Sequence, residues 1–221
     1  AFAADTVTEY YRLDVSAGAY IDTDIIPTNA TRVVMELEKP TSSAILYGAL
    51  DKNYDGYGLL AFENGQNALL WSYYGDGGSL DAGTLTAGRH KVETNKNAVK
   101  IDGVQTFADT ERNVSVGSRT MYLFAINNDG NYPKVWTADY QSIRFYSCQI
   151  YEGETLVRDF VPAKNKDGKI GVYDRITKCF FAKQGDGVMV AYKAATLESG
   201  LPSGITNEGV ILDFNGEITV S

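Results

Sequence analysis

Ile150–Asp174, IYEGETLVRDFVPAKNKDGKIGVYD, sets two β-rich runs around one polar turn, and its reading decides the fold class. Leu156, Val157, Phe160 and Val161 form an extended apolar run that leads into Pro162. Asn165, Lys166, Asp167 and Gly168 then supply turn chemistry, and residues 170–173 resume as a short apolar run. Strand, turn and strand within so few residues predict antiparallel neighbours.

Working outward, the same period-two alternation recurs along the chain, and Gly, Asn and Asp interrupt every window that could sustain a helical period. The clearest strand is 31–39, with Val33, Met35 and Leu37 on one face, Arg32, Glu36 and Glu38 on the other, and Pro40 ending it. Residues 44–50, 57–63 and 67–74 read as further strands. A hairpin follows: 89–94, the turn at 95–97, 98–101, then Asp102–Gly103 and 104–107, where Asp-Gly suits the two positive φ angles of a type I′ turn. Residues 120–125, 142–151, 155–161, 169–173, 178–183 and 188–192 complete the run. The prediction is an all-β, two-sheet antiparallel jelly-roll sandwich over residues 1–193. Residues 194–221 read as an extension, either a final hairpin or a linker to a further module.

Of 221 residues, 44% are hydrophobic and 22% charged, enough for one substantial core and unlike a disordered chain. The net charge of −8 opposes phosphate backbones and argues against nucleic acid as a partner. No run approaches the roughly 18 apolar residues of a membrane span, so no membrane insertion is expected. Ala1–Phe2–Ala3–Ala4 resembles the small-residue end of a secretory signal, the alternative being a terminus left by trimming. Cys148 and Cys179 lack zinc-ligand spacing and read as two buried free thiols in preference to one disulfide.

Three segments together resemble the concanavalin A-like, laminin-G-like domains of bacterial surface proteins and some phage proteins. They are YYRLDVSAGAYIDTDIIPTNATRVVMEL (10–37), AGRHKVETNKNAVKIDGV (87–104), and LFAINNDG (123–130) with the run from Phe145 to Asp174. The resemblance implies a jelly roll whose members include carbohydrate binders, adhesion modules and some glycosidases. Ala163 departs from it, since related sequences often carry cysteine shortly after the Val-Pro element.

Several constellations are candidates for chemistry. Tyrosine is abundant, with 15 residues, and Tyr54, Tyr57, Tyr73, Tyr74, Tyr132 and Tyr140 fall in or beside expected loops, together with Trp71 and Trp136. Aromatic faces stack on the C–H faces of sugar rings while Asn and Asp orient hydroxyls. The expected carbohydrate contacts are therefore Tyr54, Tyr57, Trp71, Tyr73, Asn128, Asp129, Tyr132 and Trp136. Asp51, Asn53 and Asp55, followed by Gly56, have the alternate-oxygen pattern of a Ca²⁺ loop, though Phe62 stands where an EF-hand needs glutamate. The competing reading is an Asx turn. Glu36 and Glu38 are the only carboxylate pair with glycosidase-like alternation, against the simpler reading of a solvated polar face. His90 is the single histidine, and no Gly-x-Ser-x-Gly element accompanies it. The expectation is a noncatalytic, extracellular carbohydrate-binding or adhesion module, with a glycan or cell-surface ligand. The alternatives are a divergent glycoside hydrolase or lyase and a structural or protein-adhesion domain of a larger surface polypeptide.

Overall fold

The computed structural model describes residues 5–75, 77–79, 81–109, 115–128, 135–136 and 142–193. These residues form an all-β sandwich. In chain order the strands are β1 (Val7–Glu9), β2 (Arg12–Ser16), β3 (Ile21–Asp22), β4 (Thr31–Glu38), β5 (Ala44–Leu50), β6 (Gly56–Asn64) and β7 (Asn67–Gly75). Then come β8 (Gly77–Ser79), β9 (Thr84–Leu85), β10 (Arg89–Asn95), β11 (Ala98–Ile101), β12 (Val104–Phe107), β13 (Tyr122–Leu123), β14 (Ile126–Asn128) and β15 (Val135–Trp136). The last are β16 (Ser142–Glu152), β17 (Thr155–Asn165), β18 (Ile170–Asp174), β19 (Cys179–Ala182) and β20 (Met189–Tyr192).

One sheet has the path β12-β11-β10-β4-β16-β17-β18-β19, and the other runs β15-β14-β5-β6-β7-β8. Among the described residues pairing is antiparallel apart from that of β14 with β5, which is parallel. Parity drives the packing: Val33, Met35 and Leu37 of β4 are fully buried, facing Leu46, Leu59 and Leu70 in one core cluster between the sheets. Burying each such side chain contributes roughly 1.5–3 kcal/mol, which makes a one-residue slip of any strand costly. Phe124 from the second sheet meets Phe145 from the first edge to face at 5.2 Å.

The stretch from 150 to 174 forms the end of β16, then β17 and β18, in the register Cys148↔Phe160↔Asp174. Its turn is as expected: Asn165 Oδ1 accepts from the N–H groups of Asp167 and Lys169 at 3.0 and 2.9 Å, and Gly168 has φ 78°. The strand before it is longer than expected, because β17 continues through Pro162. On that edge β16 pairs up to Phe160 and β1 begins at Ala163, so the missing proline N–H falls where the neighbour changes. Asp174 is fully buried, and its carboxylate accepts from the N–H groups of Asp159, Ile176 and Thr177 and from the Thr177 hydroxyl. A buried carboxylate held by four donors ties the end of β18 to β17.

Two other expectations are corrected. Residues 120–125 are not one strand: Phe124 has φ 67°, and the chain divides there into β13, antiparallel to β5, and β14, parallel to it. Cys179 is exposed, and only Cys148 is buried. Both thiols are free, and they share a register row three strand steps apart, roughly 14 Å at ~4.8 Å per step, beyond disulfide reach. The extension at 194–221 lies outside the described residues.

Candidate functional site

Strands β5, β6 and β7 direct alternate residues to opposite faces. Tyr47, Tyr57 and Tyr74 point inward and are fully buried, whereas Trp71 and Tyr73 take the outward positions of β7. Across the sheet the register aligns Ile126, Gly48, Gly58, Tyr73 and Gly78 in one row. Two adjacent glycines leave the middle of that row without side chains. A Cβ on Gly48 would lie 2.7 Å from Ile126 Cγ1, so Ile126 covers Gly48. A Cβ on Gly58 would lie 2.8 Å from the Tyr47 carbonyl oxygen, so the sheet itself forms the floor there.

The result is a hollow of about 60 Å³ bordered by Leu50, Gly58, Leu60, Trp71, Tyr73 and Ile126, its surface entirely carbon. Leu50 and Tyr73 close one end over Gly56. At the other end Leu60 lies opposite Trp71, whose ring meets Phe62 at 5.8 Å and Tyr73 edge to face at 6.3 Å. The Tyr73 hydroxyl donates to the Tyr54 carbonyl at 2.6 Å, and Tyr54, at φ 63° and 42% exposed, presents its ring at the tip of the β5–β6 loop. Tyr54, Tyr73 and Trp71 thus form a continuous series along one rim.

Not every expected contact belongs to it. Tyr57 is 1% exposed and cannot stack on a ligand: its hydroxyl donates to the Thr31 and Thr94 carbonyls at 3.1 and 3.2 Å. Tyr74 is likewise a core residue, bonded through its hydroxyl to Asn29. Inward parity overrides their nearness to loops. Burial pushes the Tyr47 and Tyr57 phenols well above the ordinary tyrosine value. Asn128 belongs to β14 and is buried, not in an open loop. Trp136 lies in β15, paired to Ile126, while Asp129, Tyr132 and Tyr140 fall outside the described residues.

The loop at 51–55 has the geometry of an Asx turn. Asp51 Oδ1 accepts from Asn53 N at 2.8 Å and Asp55 N at 3.2 Å, and the Asp51 carbonyl accepts from Tyr54 N at 3.0 Å. Asp51, Asn53 and Asp55 therefore shape the loop that carries Tyr54. Among the described residues, no group of three His, Cys, Asp or Glu side chains is placed to hold a metal ion.

Glu36 and Glu38 stand on the outer face of the other sheet, each with an arginine. Glu36 pairs with Arg89, whose guanidinium lies 3.9 Å from the centre of the Tyr146 ring. Glu38 accepts from Arg144 at 2.8 Å and from the Tyr146 hydroxyl. Burial alone would raise the Glu38 carboxyl, but the bonds from Tyr146 and Arg144 hold it below the ordinary value, the reverse of what a proton donor needs. Beside them Arg12 pairs with Asp14: Nε sits 2.8 Å from Oδ1, and Nη2 donates to Oδ2 at 3.3 Å. His90 Nδ1 lies 2.7 Å from Asp102 Oδ2, and Nε2 faces the Thr86 hydroxyl and carbonyl at 3.3 and 3.2 Å. The Lys91 N–H and His90 keep the Asp102 carboxyl below its ordinary value.

No protein-family model and no curated protein matches the chain. The candidate site therefore rests on geometry. Sequence reading picked out its aromatic rim but missed Gly48, Gly58, Leu60 and Ile126. The available signal was parity, since both glycines occupy outward positions within apolar strands.

Proposed function

We propose that this chain is a noncatalytic carbohydrate-binding module of an exported bacterial surface protein, contacting its glycan through the outer face of β5–β7. The observation that carries this reading is the carbon-lined hollow over Gly58, flanked by Trp71 and Tyr73 and continued by the exposed ring of Tyr54. Aromatic side chains on a rigid sheet give a sugar's C–H face a surface to stack on without ordering loops first. The resemblance to concanavalin A-like, laminin-G-like domains supports the same class of ligand.

A glycan array followed by titration calorimetry, with Ca²⁺ and with chelator, tests the reading. Binding to a defined set of neutral glycans that falls at least about tenfold in Trp71→Ala is the expected outcome. Silence across host and microbial glycans, or affinity that Trp71→Ala leaves unchanged, defeats it. Calcium dependence would place Asp51, Asn53 and Asp55 among the contributing groups.

A further inference from the structure

The hollow is too small for a sugar ring, and this bears on which sugar the site would take. Its volume of about 60 Å³ is less than half of the ~150 Å³ apolar cavity that admits benzene. A pyranose carries as many ring atoms and a shell of hydroxyls besides. What fits is the end of a substituent, one or two carbon groups deep. The lining has the same bias: Leu50, Leu60, Ile126, Trp71 and Tyr73 meet an entering group with carbon only. A hydroxyl placed there would give up water and find no partner, whereas a methyl group gives up nothing polar. The net charge of −8 further disfavours carboxylate-bearing sugars.

Building on the sugar-binding reading above, we propose that the hollow over Gly58 is a specificity pocket for a methyl group carried by an uncharged sugar, as in the acetamido group of an N-acetylhexosamine or the C6 methyl of a 6-deoxyhexose. The ring that bears the methyl lies against Trp71 and Tyr73, and the methyl projects toward the glycine floor. Gly58 leaves the floor of the hollow bare, and Ile126, lying over Gly48, forms the wall on that side.

Matched sugars test this directly: N-acetylglucosamine against glucose, and L-fucose against L-galactose, each as the free sugar. Calorimetry or ligand-observed NMR reads the affinities, and saturation transfer reads which protons touch the protein. One member of a methyl-bearing pair should bind about tenfold tighter than its hydroxyl counterpart, with its methyl protons receiving the strongest transfer. The two pairs separate the acetamido source from the deoxy source. Leu50→Phe, which narrows the hollow at a half-buried strand end, should bring the preferred pair to within about twofold while thermal unfolding shows an intact fold. Equal binding of both members of each pair overturns the methyl pocket and leaves sugar binding standing. A preference that survives Leu50→Phe in a folded variant overturns the pocket's location. Absence of binding to all four sugars and to every arrayed glycan overturns both.

Discussion

The two faces of β5–β7 are built from neighbouring residues and have opposite characters. On the inner face Tyr47, Tyr57 and Tyr74 are sealed between the sheets with every hydroxyl bonded: Tyr47 to Thr94, Tyr57 to the Thr31 and Thr94 carbonyls, Tyr74 to Asn29. On the outer face Trp71 and Tyr73 stand beside bare glycine. Tyr73 and Tyr74 are adjacent in the chain, as are Tyr57 and Gly58, and only the strand's two-residue period sends them apart. The aromatic residues of these strands therefore have two physical roles. Inner rings hold one sheet to the other, and outer rings make a surface.

The largest expected effect breaks the inner face. Tyr57→Ala removes a fully buried ring and its hydroxyl, and should cost about 3–5 kcal/mol, seen as a lower urea midpoint at unchanged slope. Trp71→Ala, by contrast, should act on glycan affinity far more than on stability. A loss of stability from Trp71→Ala as large as that from Tyr57→Ala would erase the distinction between the faces.

A pH titration sharpens the contrast at intermediate magnitude. In the unfolded chain a tyrosine ionises near pH 10, whereas burial holds Tyr47 and Tyr57 well above that in the folded protein. Above pH ~10 the unfolded chain binds fewer protons than the folded one, so the contribution of these two groups is whole below pH ~10 and is lost as pH climbs through their folded values. Phenolate absorbance of Tyr47 and Tyr57 should therefore emerge only with the loss of native circular dichroism. Tyr47→Phe should diminish that late component and lower stability near neutrality by about 1 kcal/mol through the lost bond to Thr94. Gradual ionisation of all tyrosines in a still-folded protein would contradict the sealed inner face.

The smallest effect concerns the outer rim. Tyr73→Phe deletes the 2.6 Å bond to the Tyr54 carbonyl at an exposed site, so stability should change by less than about 1 kcal/mol. Glycan affinity should fall about threefold as the Tyr54 loop loses its tether, measurable by calorimetry. Unchanged affinity would remove Tyr54 from the binding surface.

Much of the fold was legible in local pattern. The alternation of 31–39 became β4 with Val33, Met35 and Leu37 inward, and Asp102–Gly103 took the two positive φ angles, 52° and 82°, that its chemistry requires. Local signals fail where a distant contact wins. Phe124 adopts a left-handed φ that its own chemistry disfavours, with its ring anchored in the core against Phe145. Pro162 sits inside a strand because its neighbours happen to change there. The candidate site was half legible: Trp71, Tyr73 and Tyr54 stood out as aromatics, but Tyr57 was misplaced because nearness to a turn says nothing about which face a side chain takes.

Local pattern alone specifies antiparallel strands around an apolar core, because period-two alternation and turn residues act over neighbours in the chain. The sequence also determined which aromatic residues were available. Only the tertiary structure decided which became core and which became surface, and that Gly48 and Gly58, ten residues apart, lie side by side beneath Ile126 and beside Tyr73. The physical reason is that strand register is set by the burial of whole faces, a sum over distant partners that no single segment contains.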